Sequence, residues 1–130
     1  MTFITAADTI VLRYIVKRNR KEYAIRKPAN SGSLTEAVYY ILLRLHRPAH
    51  GYALMKDIAT MTDGRVRLGA GTLYGALDSL QQKDWIEPLS DRSEGRKKEY
   101  TITTAGKQVF EQEVIRLNEL LTNAKNYEGK

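Results

Sequence analysis

The chain has 130 residues, no cysteine and a formal net charge of +6. Disulfide scaffolds, thiol catalysis and cysteine-ligated metals are thereby excluded, and a basic balance points to polyanionic partners, nucleic acid before acidic membrane surfaces. No apolar run approaches the ~20 residues of a membrane span, and the segment from Met1 to Asp8 lacks the basic start and long apolar stretch of a signal peptide, so a cytoplasmic protein is expected.

Residues 1–33 read as a basic N-terminal extension and linker, with seven basic groups against two acidic ones. Phe3, Ile4, Ala7, Ile10, Val11, Tyr14 and Ile15 follow helical spacing over 3–18, although the β-branched pair Ile10-Val11 leaves a strand open. The stretch from Lys27-Pro28 to Ser33 has linker composition. Ser33-Leu34-Thr35-Glu36 matches a capping box, in which Ser33 and Glu36 satisfy each other's backbone N–H. A first helix is then expected to about residue 45, with Leu34, Val38, Ile41, Leu42 and Leu45 on one face. Arg47-Pro48-Ala49-His50-Gly51 breaks it, with His50 a candidate cap for the next helix.

A second helix is predicted over 51–62, burying Leu54, Met55, Ile58 and Met61 and stopping at Asp63-Gly64. Arg65-Val66-Arg67-Leu68 alternates and could form a short strand, with Arg65 and Arg67 on one side, either a solvated face or, next to the third helix, a DNA contact. The third helix, 72–83, carries Leu73, Leu77 and Leu80 at core spacing. Residues 85–89 and 97–103 read as two strands around a polar turn, Tyr100 and Ile102 pointing one way, and Thr103 can cap a last helix over 104–124. Three short helices followed by a hairpin whose tip holds Arg92, Gly95, Arg96 and Lys97 is the order of a winged helix. The predicted fold is therefore mainly α with a small β-hairpin wing: a winged helix-turn-helix domain over 34–103, then a C-terminal dimerisation helix and tail over 104–130.

The chain resembles the PadR family of winged-helix regulators, in its short forms, over about residues 34–121. The resemblance rests on several motifs in order: the run from Leu34 to Leu42, His50-Gly51-Tyr52, the run from Gly64 to Leu77, Arg96-Lys97-Lys98-Glu99-Tyr100, and the run from Thr101 to Lys107. It implies a dimer formed largely by the last helix, with two recognition helices in successive major grooves of DNA. It also implies repression of transcription, and in some members a response to phenolic acids or drug-like compounds. By the same resemblance, DNA contacts fall to Thr72 and Tyr74 on the third helix, to Arg96 and Lys97 on the wing, and, for the backbone, to Gly51 and Tyr52. The chain departs from the family pattern in having Gly69-Ala70-Gly71 where a proline is common before the recognition helix. Its one tryptophan, Trp85, precedes the wing, so the last helix lacks the tryptophan that sandwiches flat ligands in drug-binding relatives.

The residues support these roles to different degrees. Tyr74 follows the core position Leu73 and should lie off the buried face, where its hydroxyl can reach a phosphate or pack against the wing. Thr72 sits at the positive end of the third helix, a suitable receptor for phosphate or simply a helix start. Arg92, Arg96 and Lys97 belong to a stretch, 83–100, with five basic and five acidic groups, so surface ion pairs compete with phosphate contacts there. The third helix carries no Arg or Lys before Lys83, which denies its groove-facing turn the bidentate arginine contact to guanine. Phe110, Val114, Leu117 and Leu121 recur at steps of four and three along the last helix and form a candidate dimerisation seam, or pack onto their own domain.

The expected function is sequence-specific binding of double-stranded DNA at a pseudo-palindromic operator by a homodimer, probing with 72–83 and steadying with 91–97. A winged helix serving only as a protein-interaction module is the alternative. Gly69-Ala70-Gly71 completes neither the dinucleotide fingerprint nor a phosphate loop, and no catalytic, metal or cofactor constellation is visible.

Overall fold

The computed structural model describes residues 32–89 and 98–128. Among them the elements run α1 (Glu36–Arg44), β1 (Ala49–His50), α2 (Gly51–Met61), α3 (Ala70–Gln82), β2 (Ile86–Pro88), β3 (Glu99–Ile102) and α4 (Thr104–Glu128). They belong to two compact units, one of residues Leu34–Phe110 and one that takes in Glu111 onward. The predicted 3–18 element and the hairpin tip lie outside the described residues.

α1 starts two residues later than the sequence pattern suggested. The cap is Thr35, extended at ψ 157°, whose side chain accepts the Val38 N–H at 3.2 Å. With Val38 in the third helical position the box cannot close. Glu36, now in the first turn, instead receives both terminal nitrogens of the Arg65 guanidinium. That fork holds the Glu36 carboxyl below its ordinary pKa.

α2 is capped by His50, whose Nδ1 accepts the Ala53 N–H at 3.3 Å, the role expected of it. It buries Leu54 and Ile58, but Met61 is exposed. The exit is built from Asp63 and Gly64, both left-handed, with the Gly64 N–H donating to Ala59 O at 2.7 Å. Residues 65–68 then form no strand. The Arg65 N–H returns to Thr62 O at 3.0 Å and the Val66 N–H to Thr62 Oγ1 at 3.0 Å, so the first two amides of this stretch turn back onto the end of α2 and are not offered to a ladder.

α3 starts at Ala70, half a turn earlier than expected, with Gly69 as an extended cap that offers no side-chain bond. Leu73, Leu77 and Leu80 are buried, and with Ile41, Leu42, Leu45, Leu54 and Ile58 they make one core under α1, α2 and α3. Each such side chain contributes roughly 1.5–3 kcal/mol of transfer free energy.

The expected hairpin is a three-stranded antiparallel sheet in the order β1-β3-β2. β2 and β3 pair Ile86 with Ile102 and Pro88 with Tyr100, and the added strand pairs Ala49 with Tyr100 and His50 with Glu99. Two residues are too few for periodicity to reveal, and Pro48 beside them read only as a break. The Ile102 N–H donates to Leu45 O at 2.9 Å, anchoring the sheet to the end of α1.

Thr103 joins the sheet to α4. Its N–H donates to Trp85 O at 2.9 Å, its Oγ1 donates to Asp84 O at 2.6 Å, and the same oxygen accepts the Gly106 N–H at 3.0 Å. α4 runs to Glu128, a turn beyond the expected end.

Candidate nucleic-acid interface

Two first turns carry the candidate contacts. In α2, Tyr52 is 66% exposed, while its neighbour Gly51 is buried. In α3, Thr72 and Gly75 are exposed and Tyr74 is 39% exposed, whereas Leu73 between them is fully buried. The stagger follows from the helical period: residues 73, 77 and 80 face the core, so 71, 72, 75 and 79 face away. The first amides of a helix lack intrahelical acceptors, and Gly69 adds no capping oxygen. A phosphate is a natural acceptor at such a terminus.

Glycines 69, 71 and 75 add a second feature. Among the described residues, a Cβ placed on any of them would meet nothing within 4 Å, and none has a positive φ. Gly71 and Gly75 therefore cost α3 about 1 kcal/mol each relative to alanine, with no packing or backbone reason among the described residues. They leave a low, smooth helix surface.

β3 brings the wing root to the same side as the α2 cap, through the His50–Glu99 pairing. Tyr100 is buried in the sheet, and its phenol is raised above the ordinary pKa by burial first, then by nearby Tyr74 and Asp78. The Lys98 ammonium lies 5.9 Å from the Tyr100 ring centroid. Arg92, Arg96 and Lys97 lie outside the described residues. Arg67 is exposed, with Nε donating to Gly64 O at 3.1 Å, and Arg65 is committed to Glu36. Arg44 is likewise paired, with Asp57 at 2.7 Å. The structure thus separates Arg65 and Arg67, which share a face only in an extended strand.

The expected dimerisation seam divides. Phe110 is 1% exposed and packs on Tyr39 and His46, each at 5.0 Å between ring centroids. A side chain so enclosed by its own domain cannot meet a partner, and Phe110 is removed from the seam. Val114 is buried too, at 5% exposure. Leu117, Leu120 and Leu121 are 39%, 51% and 53% exposed, and they form the outward apolar stripe.

Solved structures share this architecture. A transcriptional regulator from Clostridium thermocellum is 27% identical, with a TM-score of 0.59 over 72% of this chain and 90% of its own. A PadR family transcriptional regulator from Eggerthella lenta, 22% identical, shares the fold over 95% of this chain and 96% of its own, with a TM-score of 0.58. Among curated proteins, the transcriptional regulator YqjI of Escherichia coli is 36% identical over 64 residues, 49% of this chain and 30% of YqjI. A 37.1 kDa protein of transposon TN4556 in Streptomyces fradiae is 39% identical over 66 residues, 51% of this chain and 18% of that protein. The chain thus spans under a third of the length of these curated relatives. Residues 38–112 match the family model described as the transcriptional regulator PadR-like family, and the chain, a winged-helix protein, belongs to that family.

Proposed function

We propose that the chain is a cytoplasmic, homodimeric repressor that binds a pseudo-palindromic operator, with α3 in the major groove of each half-site. The reading rests on one observation above the others: buried Leu73, Leu77 and Leu80 hold outward a first turn of α3 whose glycines leave its backbone open to close approach. Thr72 and the amides at the start of α3 take a phosphate, and Tyr52 takes another from the first turn of α2. Tyr74 lies between them. Arg92, Arg96 and Lys97, with Arg67 at the flank, reach the neighbouring backbone. Without a basic residue on the groove-facing turn, sequence choice depends on Thr72, on packing against thymine methyls and on DNA shape. Leu117, Leu120 and Leu121 pair the two copies.

A mobility-shift titration of the full chain on promoter-length duplex, repeated across salt concentrations, tests the DNA reading. Binding should weaken as salt rises, with a log–log slope of about 0.9 per phosphate neutralised by a lysine or arginine; Arg67→Ala should lower that slope by about one such contact, whereas Tyr52→Ala should weaken binding and leave the slope unchanged. No shift at low salt would overturn the reading and favour a protein-interaction module.

A further inference from the structure

Gly51 stands in the first turn of a helix, in a backbone conformation open to any residue, yet it is buried beside a tyrosine that is two-thirds exposed. What fills its surroundings is the Tyr74 ring. A Cβ on Gly51 would come 2.5 Å from the Tyr74 hydroxyl oxygen, 2.8 Å from Cζ and 3.1 Å from Cε1. The phenol of α3 therefore lies directly on the α2 backbone, at the point where β1 hands over to α2. β1 is itself paired with Tyr100 of β3, so this junction gathers α2, α3 and the wing root.

We propose that Gly51 and Tyr74 act as a spacer between the first turns of α2 and α3, and that Gly51 controls DNA affinity through Tyr74 as a positioning residue that does not itself contact DNA. The inference rests on the DNA-binding reading and deepens it. A phosphate reached from Tyr52 and one reached from Thr72 lie at a fixed separation on the duplex, so the two helix starts must keep theirs. A rigid ring wedged against a bare Cα sets a distance that a flexible side chain would not. Tyr74 is 39% exposed, so an intruding methyl can expel the ring toward solvent without opening the core. The expected loss is in the geometry of the two turns, with the fold retained.

The test is a double-mutant cycle of Gly51→Ala, Tyr74→Ala and the pair, read on the full-length chain by duplex affinity and by the thermal midpoint of the DNA-free protein. Alone, Gly51→Ala should weaken duplex binding roughly tenfold, the coupling expected for residues in direct contact, with helical circular dichroism unchanged. Added to Tyr74→Ala, it should leave affinity unchanged. The midpoint should follow the same logic, falling when the ring is present and holding or rising when it is absent, since alanine is the better helix former. Additive losses in the two backgrounds, or no loss from Gly51→Ala alone, would overturn the proposal. If the unmutated chain binds no duplex, the DNA-binding reading fails, and with it the affinity role of Gly51. The midpoint arm then still reports whether the ring spaces the helices.

Discussion

Gly106→Ala is expected to destabilise the protein by about 3 kcal/mol, the upper part of the range for an overpacked site. The obstacle is backbone: a Cβ at Gly106 would fall 2.1 Å from Trp85 O and 2.7 Å from Ile102 Cγ1. Trp85 O cannot retreat freely, because it accepts the Thr103 N–H at 2.9 Å. Relief requires lifting the first turn of α4 off the loop before β2, which breaks that bond and the Gly106 N–H to Thr103 Oγ1 contact at 3.0 Å. Thermal unfolding followed by circular dichroism should show the midpoint falling by roughly 10 °C. A midpoint within a degree or two of the parent would mean that the junction of sheet and α4 is softer than described.

Introducing charge at Leu117→Glu and Leu121→Glu should convert the proposed dimer to a monomer. Both leucines are exposed within the chain, so the substitutions leave the core untouched. Paired against a second copy, however, the same positions would bury unpartnered carboxylates, at about 3–5 kcal/mol for an uncompensated charge. Light scattering should report the 14.8 kDa of one chain, with helical content retained. Operator affinity should fall by at least ~100-fold, because two linked contacts become one. A variant that stays dimeric would place the seam elsewhere, and a monomer with full affinity would show that pairing is dispensable for binding.

Periodicity and capping make the three short helices, the two longer strands and the long last helix legible in the sequence. Leu73, Leu77 and Leu80 announced the buried face of α3, and therefore also its exposed face. The parts that escaped notice depend on contacts between residues far apart in the chain. The shift of the α1 cap to Thr35 goes with the Glu36–Arg65 pair, 29 residues apart, which the local box pattern could not contain. β1 is a strand only because Tyr100 and Glu99 lie beside it. Phe110 shows the limit of a stripe read from one helix: spacing identified it as apolar and inward, but the choice between a partner and its own domain was made by Tyr39 and His46. Gly51 and Gly106 are similar. A glycine that yields space to a ring or a carbonyl from another element looks in sequence like any other glycine.

If two copies present α3 to DNA together, selection of bound duplexes from a random pool by the 130-residue chain should enrich an inverted repeat whose half-site centres lie about 10 base pairs apart, or a multiple of that spacing. Enrichment of a single unrepeated motif, or of none, would contradict that arrangement.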